Sequence, residues 1–367
     1  MELLYKPDWE ETKDRFEAWW AHDCFGRCAI AVTAPKDLVP TEEPPPVPET
    51  VEDRWLNTKY IGALNDYVMR HTFYGGEALP VWNPGYPGWA TIAAFLGCPV
   101  TLQDTTGWLD PIINNDDLTE FDYRTLVIQP DNEWWVLAQK MLRFGAQEAK
   151  GKSLLSIGAF GGCGDTLAWL RGTGRLLYDV LDCPDYVREF EEYLMRQWFG
   201  VYDTFYDIVT EAADGSTCWF TLWSPGKFYA AQNDFSYMIS PRLLDEVFIP
   251  IIEMQTEYLD HTIYHVDGVN AFVHVDALCE LPRLQALQIL PGTGKPSPLY
   301  YMDVLKKVQA HGKNLHITIP ASEVEDALAN LSAKGLFIET WCASEEEARE
   351  LLKNAEKWSR DRKVIGR

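Results

Sequence analysis

From about residue 150 onward, the chain alternates short apolar runs with long amphipathic stretches. The runs are SLLSIGAF (153–160), STCWFTLW (216–223), TIYHVDG (262–268), ALQILPG (286–292), NLHITIP (314–320) and LFIETWC (336–342). Between them lie segments of helical length and periodicity, such as CPDYVREFEEYLMRQWFGVYDTFYDIVTEA and SPRLLDEVFIPIIEMQTEYLD. Short apolar runs separated by helices read as parallel strands, because a parallel connection needs a crossover long enough to hold a helix. The predicted class is α/β, and the number of units favours a closed (β/α)8 TIM barrel over an open sheet.

The first 150 residues add an N-terminal extension and the first elements of the same barrel. Asp8 with Glu11 has the spacing of a capping box before a helix that carries Trp9, Phe16 and Trp20 on one side. The apolar strand CAIAVTAP follows, then VPTEEPPPVPET, a proline-rich loop unable to form helix or central strand. No stretch reads as a flexible linker, so residues 1–367 are expected to form a single domain, with regular βα units over 151–367.

Charge narrows the function classes. The chain holds 32 Lys and Arg against 55 Asp and Glu, a net charge of -23. Such a surface repels phosphate backbones and anionic lipid, so neither nucleic acid nor membrane is an expected partner. The 8 cysteines are scattered without paired spacing and read as free thiols. Cys24 and Cys28 form a lone C-x₃-C, which lacks the second pair of a zinc site. The opening residues lack a basic stretch followed by an apolar one, and a cytoplasmic location is expected.

In a parallel barrel, chemistry sits at the C-terminal ends of the strands. His265, Asp267, Thr293, His316 and Cys342 fall there. The triplet His-Val-Asp occurs twice, at His265 and at His274. On a strand, His265 and Asp267 share a face. They could bind a metal, form an acid/base pair, or brace a strand end. The second triplet lies in a helical pattern, where His274 and Asp276 diverge by about 200° and cannot act as a co-facial pair.

Asp234, before a helix capped by Ser240, and Asp165, after a Gly-rich turn, are further candidate catalytic or orienting carboxylates. That turn lacks the spacing of a nucleotide-binding loop. Cys342 is a candidate third metal ligand beside His265 and Asp267; Glu339 shares a strand face with Phe337 and Trp341 instead. Among 15 tryptophans, Trp82, Trp108 and Trp223 fall in Gly/Pro-rich loops and are candidate substrate-binding walls, with His316 as a polar neighbour.

The run DFSYMISPRLLDEVFIPIIEMQTEYLDHTIYHVDGVNAFVHVDALCELPRLQALQILPGTGKP resembles the uroporphyrinogen decarboxylase-like superfamily. RGTGRLLYDVLDCPDYVREF, TTGWLDPII and GYPGWATIAAFLG extend the resemblance over most of the chain. It implies a single (β/α)8 barrel with its pocket at the C-terminal mouth. True uroporphyrinogen decarboxylases carry an Arg-rich motif of the type RQAGR; here FGRCAIAVTAP retains only Arg27.

The other branch comprises corrinoid- and thiol-dependent methyltransferases, with a zinc site built on His-x-Cys-Gly and a later Cys. His265-Val266-Asp267-Gly268 and Cys342 match that pattern, with Asp267 in place of a Cys. The resemblance therefore implies methyl transfer from a small methylated or methoxylated compound to a corrinoid, thiol or folate acceptor. Zinc would be held by His265, Asp267 and Cys342, with the corrinoid carried on a partner protein. Two alternatives stand beside it: a metal-free decarboxylase or lyase on the same barrel, and a non-catalytic barrel that binds a ligand or partner.

Overall fold

The computed structural model describes residues 2–38, 41–85 and 88–363. Val39 and Pro40 of the proline-rich loop, and Tyr86 and Pro87 after Trp82, lie outside the described residues. The strands are β1 (Ala29–Pro35), β2 (Thr72–Gly76), β3 (Val81–Trp82), β4 (Val100–Leu102), β5 (Gly107–Leu109) and β6 (Leu154–Leu155), then β7 (Phe228–Gln232), β8 (His261–Asp267), β9 (Ala286–Leu290), β10 (Asn314–Thr318) and β11 (Leu336–Trp341).

Seven of them form one sheet in the order β2-β1-β11-β10-β9-β8-β7, and β3-β6 and β4-β5 form separate pairs. Every ladder in the large sheet is parallel except β1–β2. The fold is thus a mixed α/β one with a mostly parallel sheet and helices between its strands. No helix among the described residues is long and apolar enough to cross a membrane.

Two expectations about elements change. The run 216–223 is not a strand; it makes isolated bridges, Ser156 to Thr217 and Ser216 to Ser224. The Thr217 hydroxyl donates to the Phe220 carbonyl at 3.1 Å, a local bond that competes with ladder pairing. The strand comes later, as β7. The capping box also fails: Asp8 makes no side-chain cap, because its carboxylate accepts from Lys6 Nζ at 3.2 Å. Ser240 does cap, accepting from Leu243 N at 3.4 Å.

The helix α1 (Trp9–Trp20) closes the N-terminal ends of the strands. Trp20 stacks on His261 at 4.6 Å and packs on Phe228 at 5.5 Å. Phe16 and Trp19 meet Phe337, and Trp9 meets Trp223 edge-on at 5.3 Å. The tryptophan and phenylalanine rings are buried, and each contributes roughly 1.5–3 kcal/mol by leaving water. With that end of the sheet sealed by rings, the opposite end is where polar groups gather.

Candidate functional site

Register builds the site. Gln232 stands opposite His265, His265 opposite Gln288, Gln288 opposite His316, and His316 opposite Phe337. One face of the sheet therefore carries a polar row across four strands. His265 Nδ1 contacts Gln288 Oε1. The Gln288 amide nitrogen lies 3.3 Å from His316 Nδ1, and His316 Nε2 lies 3.8 Å from Glu339.

Burial, followed by the neighbouring His265, pushes the His316 imidazole down to about 3, so it is neutral at physiological pH. A neutral imidazole carries one N–H. Facing a carboxylate, Nε2 is the nitrogen that keeps it, so Nδ1 accepts from the Gln288 amide. Gln288 Oε1 then accepts from His265 Nδ1–H, which in the neutral form of that ring puts the lone pair on Nε2.

That nitrogen points at the acids. His265 Nε2 lies 3.8 Å from Asp267 Oδ2. Ligand-type atoms of Asp234, His265 and Asp267 all lie within 4.8 Å of one another. Asp267 Oδ1 is buried without a hydrogen-bond partner, which is costly for a carboxylate unless something else satisfies it. The residues present therefore fit a divalent cation: one imidazole nitrogen with its lone pair free, and two carboxylates.

Asp234 is held in place from three directions. It opens the turn Asp234–Met238, where the Asn233 side chain accepts from Ser236 N. Asp165 accepts from Phe235 N at 3.1 Å and from the Gln232 amide at 2.8 Å. His274 contacts the Ser236 carbonyl through Nε2 at 3.0 Å, so that nitrogen donates. Asp234 is exposed as a residue, yet loss of water around its carboxylate raises it from the usual range. His265 counteracts that rise and Asp267 adds to it.

Asp165 is buried, and desolvation followed by the Asp234 charge raises it too. Beside it, Glu191 accepts from Gly164 N at 3.1 Å, and burial pushes its carboxyl up to about 8. A cavity of about 340 Å³ opens over the cluster, lined by Asp234, Tyr237, Asp267, Gly268, Thr293 and Lys295 among others. Gly268 turns the chain at φ +86°, and a Cβ there would meet the Tyr237 ring at 2.6 Å.

Among the described residues the group with metal-ligand spacing is Asp234, His265 and Asp267, and Cys342 is not in it. Cys342 hydrogen-bonds through its amide to the Thr33 carbonyl, prolonging the β1–β11 ladder. By alternation it faces away from Glu339 and hence from the His265 face. It is buried, and desolvation raises its thiol. Asp234, not Cys342, lies beside His265 and Asp267. Glu339 lies on the site face, next to His316.

Two tryptophan expectations are corrected. Trp82 is in the core, its ring so close to Gly145 that a Cβ there would meet it at 2.7 Å. Trp223 is buried at the α1 end and donates to the Asp214 carbonyl at 2.7 Å. Trp108 is 61% exposed on β5 and lines neither the cavity above nor the one described next. His274 and Asp276 do diverge: one braces the Asp234 turn, the other pairs with Lys307 at 2.8 Å.

The aromatic walls are Trp219 and Phe220, from the segment expected to be a strand. Trp219 meets His265 edge-on at 5.2 Å, and Phe220 meets His316 at 5.5 Å. Beyond Trp219 lies a second cavity of about 300 Å³, which Glu339 also lines. Gln288, Trp219 and Glu191 escaped the sequence reading. A polar Gln inside the apolar run ALQIL was the one available signal, but only register says which histidine it serves.

No family model matches the chain, and no curated protein matches it by sequence. Among solved structures it superposes on a methyltransferase from Methanosarcina mazei with a TM-score of 0.60. The two are 10% identical, and the match covers 94% of this chain and 98% of that one. At that identity the likeness establishes a shared fold across nearly the whole length of both.

Proposed function

We propose that this protein is a cytoplasmic methyltransferase on a (β/α)8 barrel of the uroporphyrinogen decarboxylase type. It would move a methyl group from a small methylated or methoxylated compound to a corrinoid, thiol or folate acceptor, with a corrinoid carried on a partner protein. The observation that carries the reading is the trio Asp234, His265 and Asp267, gathered within 4.8 Å at the C-terminal end of β8. The full-length likeness to a methyltransferase fold supports it.

The trio would hold a divalent cation. Two carboxylates and one imidazole make a harder donor set than one with thiolates; zinc fits it, with a preference for oxygen-rich partners. Such a cation would supply Lewis acidity to the heteroatom that loses its methyl group. The chain's own residues prepare the rest. Gln288 fixes the His265 tautomer, Asp165 and His274 fix the Asp234 turn, and Trp219 with Phe220 limits water over the row. The methyl–heteroatom bond breaks with its electron pair staying on the heteroatom, while the acceptor's lone pair forms the new bond.

The test is metal content of tag-free protein by plasma mass spectrometry, beside His265→Ala and Asp234→Asn. One divalent ion per chain, lost in both variants, is expected. Methylated amines and methoxyaromatics are then screened with reduced cobalamin, following the cobalt absorbance. A metal-free wild type after zinc-replete growth overturns the metal site. Absence of transfer with every donor and acceptor class overturns the methyltransferase reading.

A further inference from the structure

We infer that the second cavity binds a small organic cation of the methylated ammonium class, with Glu339 as counter-charge and Trp219 and Tyr74 as aromatic walls. The cavity is about 300 Å³, within the range of small-molecule sites. Ala31, Thr33, Leu79 and Val81 contribute to an otherwise largely uncharged lining. Glu339 is the one acid among the lining residues, and no Lys or Arg is among them.

Glu339 lacks a cationic partner within the described site. The basic side chain beside it is His316, at 3.8 Å, and that imidazole is held neutral by burial. What remains are two neutral hydroxyls, Thr318 donating at 3.2 Å and Thr221. Burial accordingly raises the Glu339 carboxyl from its usual range. Glu77, fully buried, receives both arms of Arg27, at 2.6 and 3.0 Å, whereas Glu339, with 41% of its side chain exposed, has no such arm. At Glu339 that position is open and faces a cavity.

The class of ligand follows. An anion would be repelled by Glu339, and a neutral ligand would leave the carboxylate desolvated and uncompensated. A bare divalent ion favours several anionic ligands, whereas Glu339 is the one carboxylate among neutral hydroxyls and apolar walls here. An alkylated ammonium group suits both the charge and the walls, since aromatic faces attract such groups. The Trp219 wall also touches His265, so a ligand here borders the trio. As the assignment of a methyl donor, the inference rests on the methyl-transfer reading; as a binding site it does not.

The experiment is calorimetric titration of the full chain with tetramethylammonium and with choline. The neutral isostere 3,3-dimethyl-1-butanol serves as comparison, and Trp fluorescence as a second readout. Choline is expected to bind about tenfold or more tighter than the isostere, and Glu339→Gln should erase that preference while melting at the wild-type temperature. Equal binding of choline and isostere, retention of the preference in Glu339→Gln, or no binding of either cation overturns the site. Cation binding without methyl transfer leaves the site standing and removes the reaction. Transfer from neutral methoxy donors without cation binding does the reverse.

Discussion

The two ends of β8 each carry a histidine on the same face, His261 and His265, about 13 Å apart along the strand. His261 lies under α1. Its ring stacks on Trp20 at 4.6 Å, its Nδ1 meets the Ser224 hydroxyl at 2.9 Å, and burial lowers its affinity for a proton. His265 is held by Gln288 on one nitrogen and faces two carboxylates with the other. The residue type, strand and face are the same. What differs is whether the surroundings are aromatic surface or polar groups whose own needs are unmet. A histidine becomes a candidate ligand through the nitrogen its neighbours leave free.

The sharpest way to break this contrast is to remove each ring in turn. If the trio holds a cation and acts as proposed, His265→Ala should lose that cation and about a thousandfold or more of turnover, with little change in melting temperature. His261→Ala should do the opposite, leaving any cation in place and losing stability, because it removes a half-buried ring stacked on Trp20. Plasma mass spectrometry and thermal melts on both variants decide it. A loss of metal in His261→Ala would end the division of labour between the two ends.

The sealed end is also tested by its rings. Trp223→Ala should cost about 3–5 kcal/mol, the usual price of emptying a buried aromatic site, whereas Trp108→Ala on an exposed hairpin should stay within about 0.5 kcal/mol. Urea unfolding at matched protein concentration reads both. If the two costs were equal, α1 would be a loose cover and not part of the core.

Much of this architecture was legible from residue types alone. The runs around β8, β9, β10 and β11 are aliphatic, short and bounded by turns, so period and propensity agree. At the site, His265 with Asp267 follows from alternation along one strand, a local rule. The errors are non-local. Thr217 diverts its segment into a turn through a hydroxyl contact that no periodicity encodes. Trp82 and Trp223 sit beside turn residues in sequence but under helices in space. Cys342 missed the site by strand parity, and Glu339 gained it by the same parity, once the face that mattered was fixed by His316. Gln288 reads as an ordinary strand polar residue until register sets it between two histidines.

Buried acids extend the comparison. Toward the sealed end Glu77 has Arg27. Toward the open end Asp165 and Glu191 have no cation in contact among the described residues, only backbone and amide donors. Both are raised, Glu191 to about 8, chiefly by burial. An acid whose folded pKa exceeds its unfolded value holds its proton longer in the native state. Its stabilising contribution is complete below about pH 4 and is lost as pH rises through the folded value. Stability should therefore fall between about pH 5 and pH 9 by several kcal/mol, and Glu191→Gln should remove part of that slope while Asp165 keeps the rest. Urea midpoints at the two pH values test it; a slope unchanged in the variant assigns the titration elsewhere.

The smallest effect belongs to Gln288, which touches neither acid of the trio. If its amide sets the His265 tautomer, Gln288→Leu leaves the imidazole free to place its proton on Nε2, the nitrogen that faces Asp267. Cation affinity should weaken about 10- to 100-fold, read by competition with a chelator and so independent of turnover. Gln288→Glu keeps an acceptor for His265 Nδ1–H but withdraws the donor from His316, so it should retain more affinity than Gln288→Leu. The ordering of the two variants carries the information. Equal losses would mean that Gln288 acts by filling space; unequal losses in the expected order would trace the difference between His261 and His265 to one hydrogen bond from the neighbouring strand.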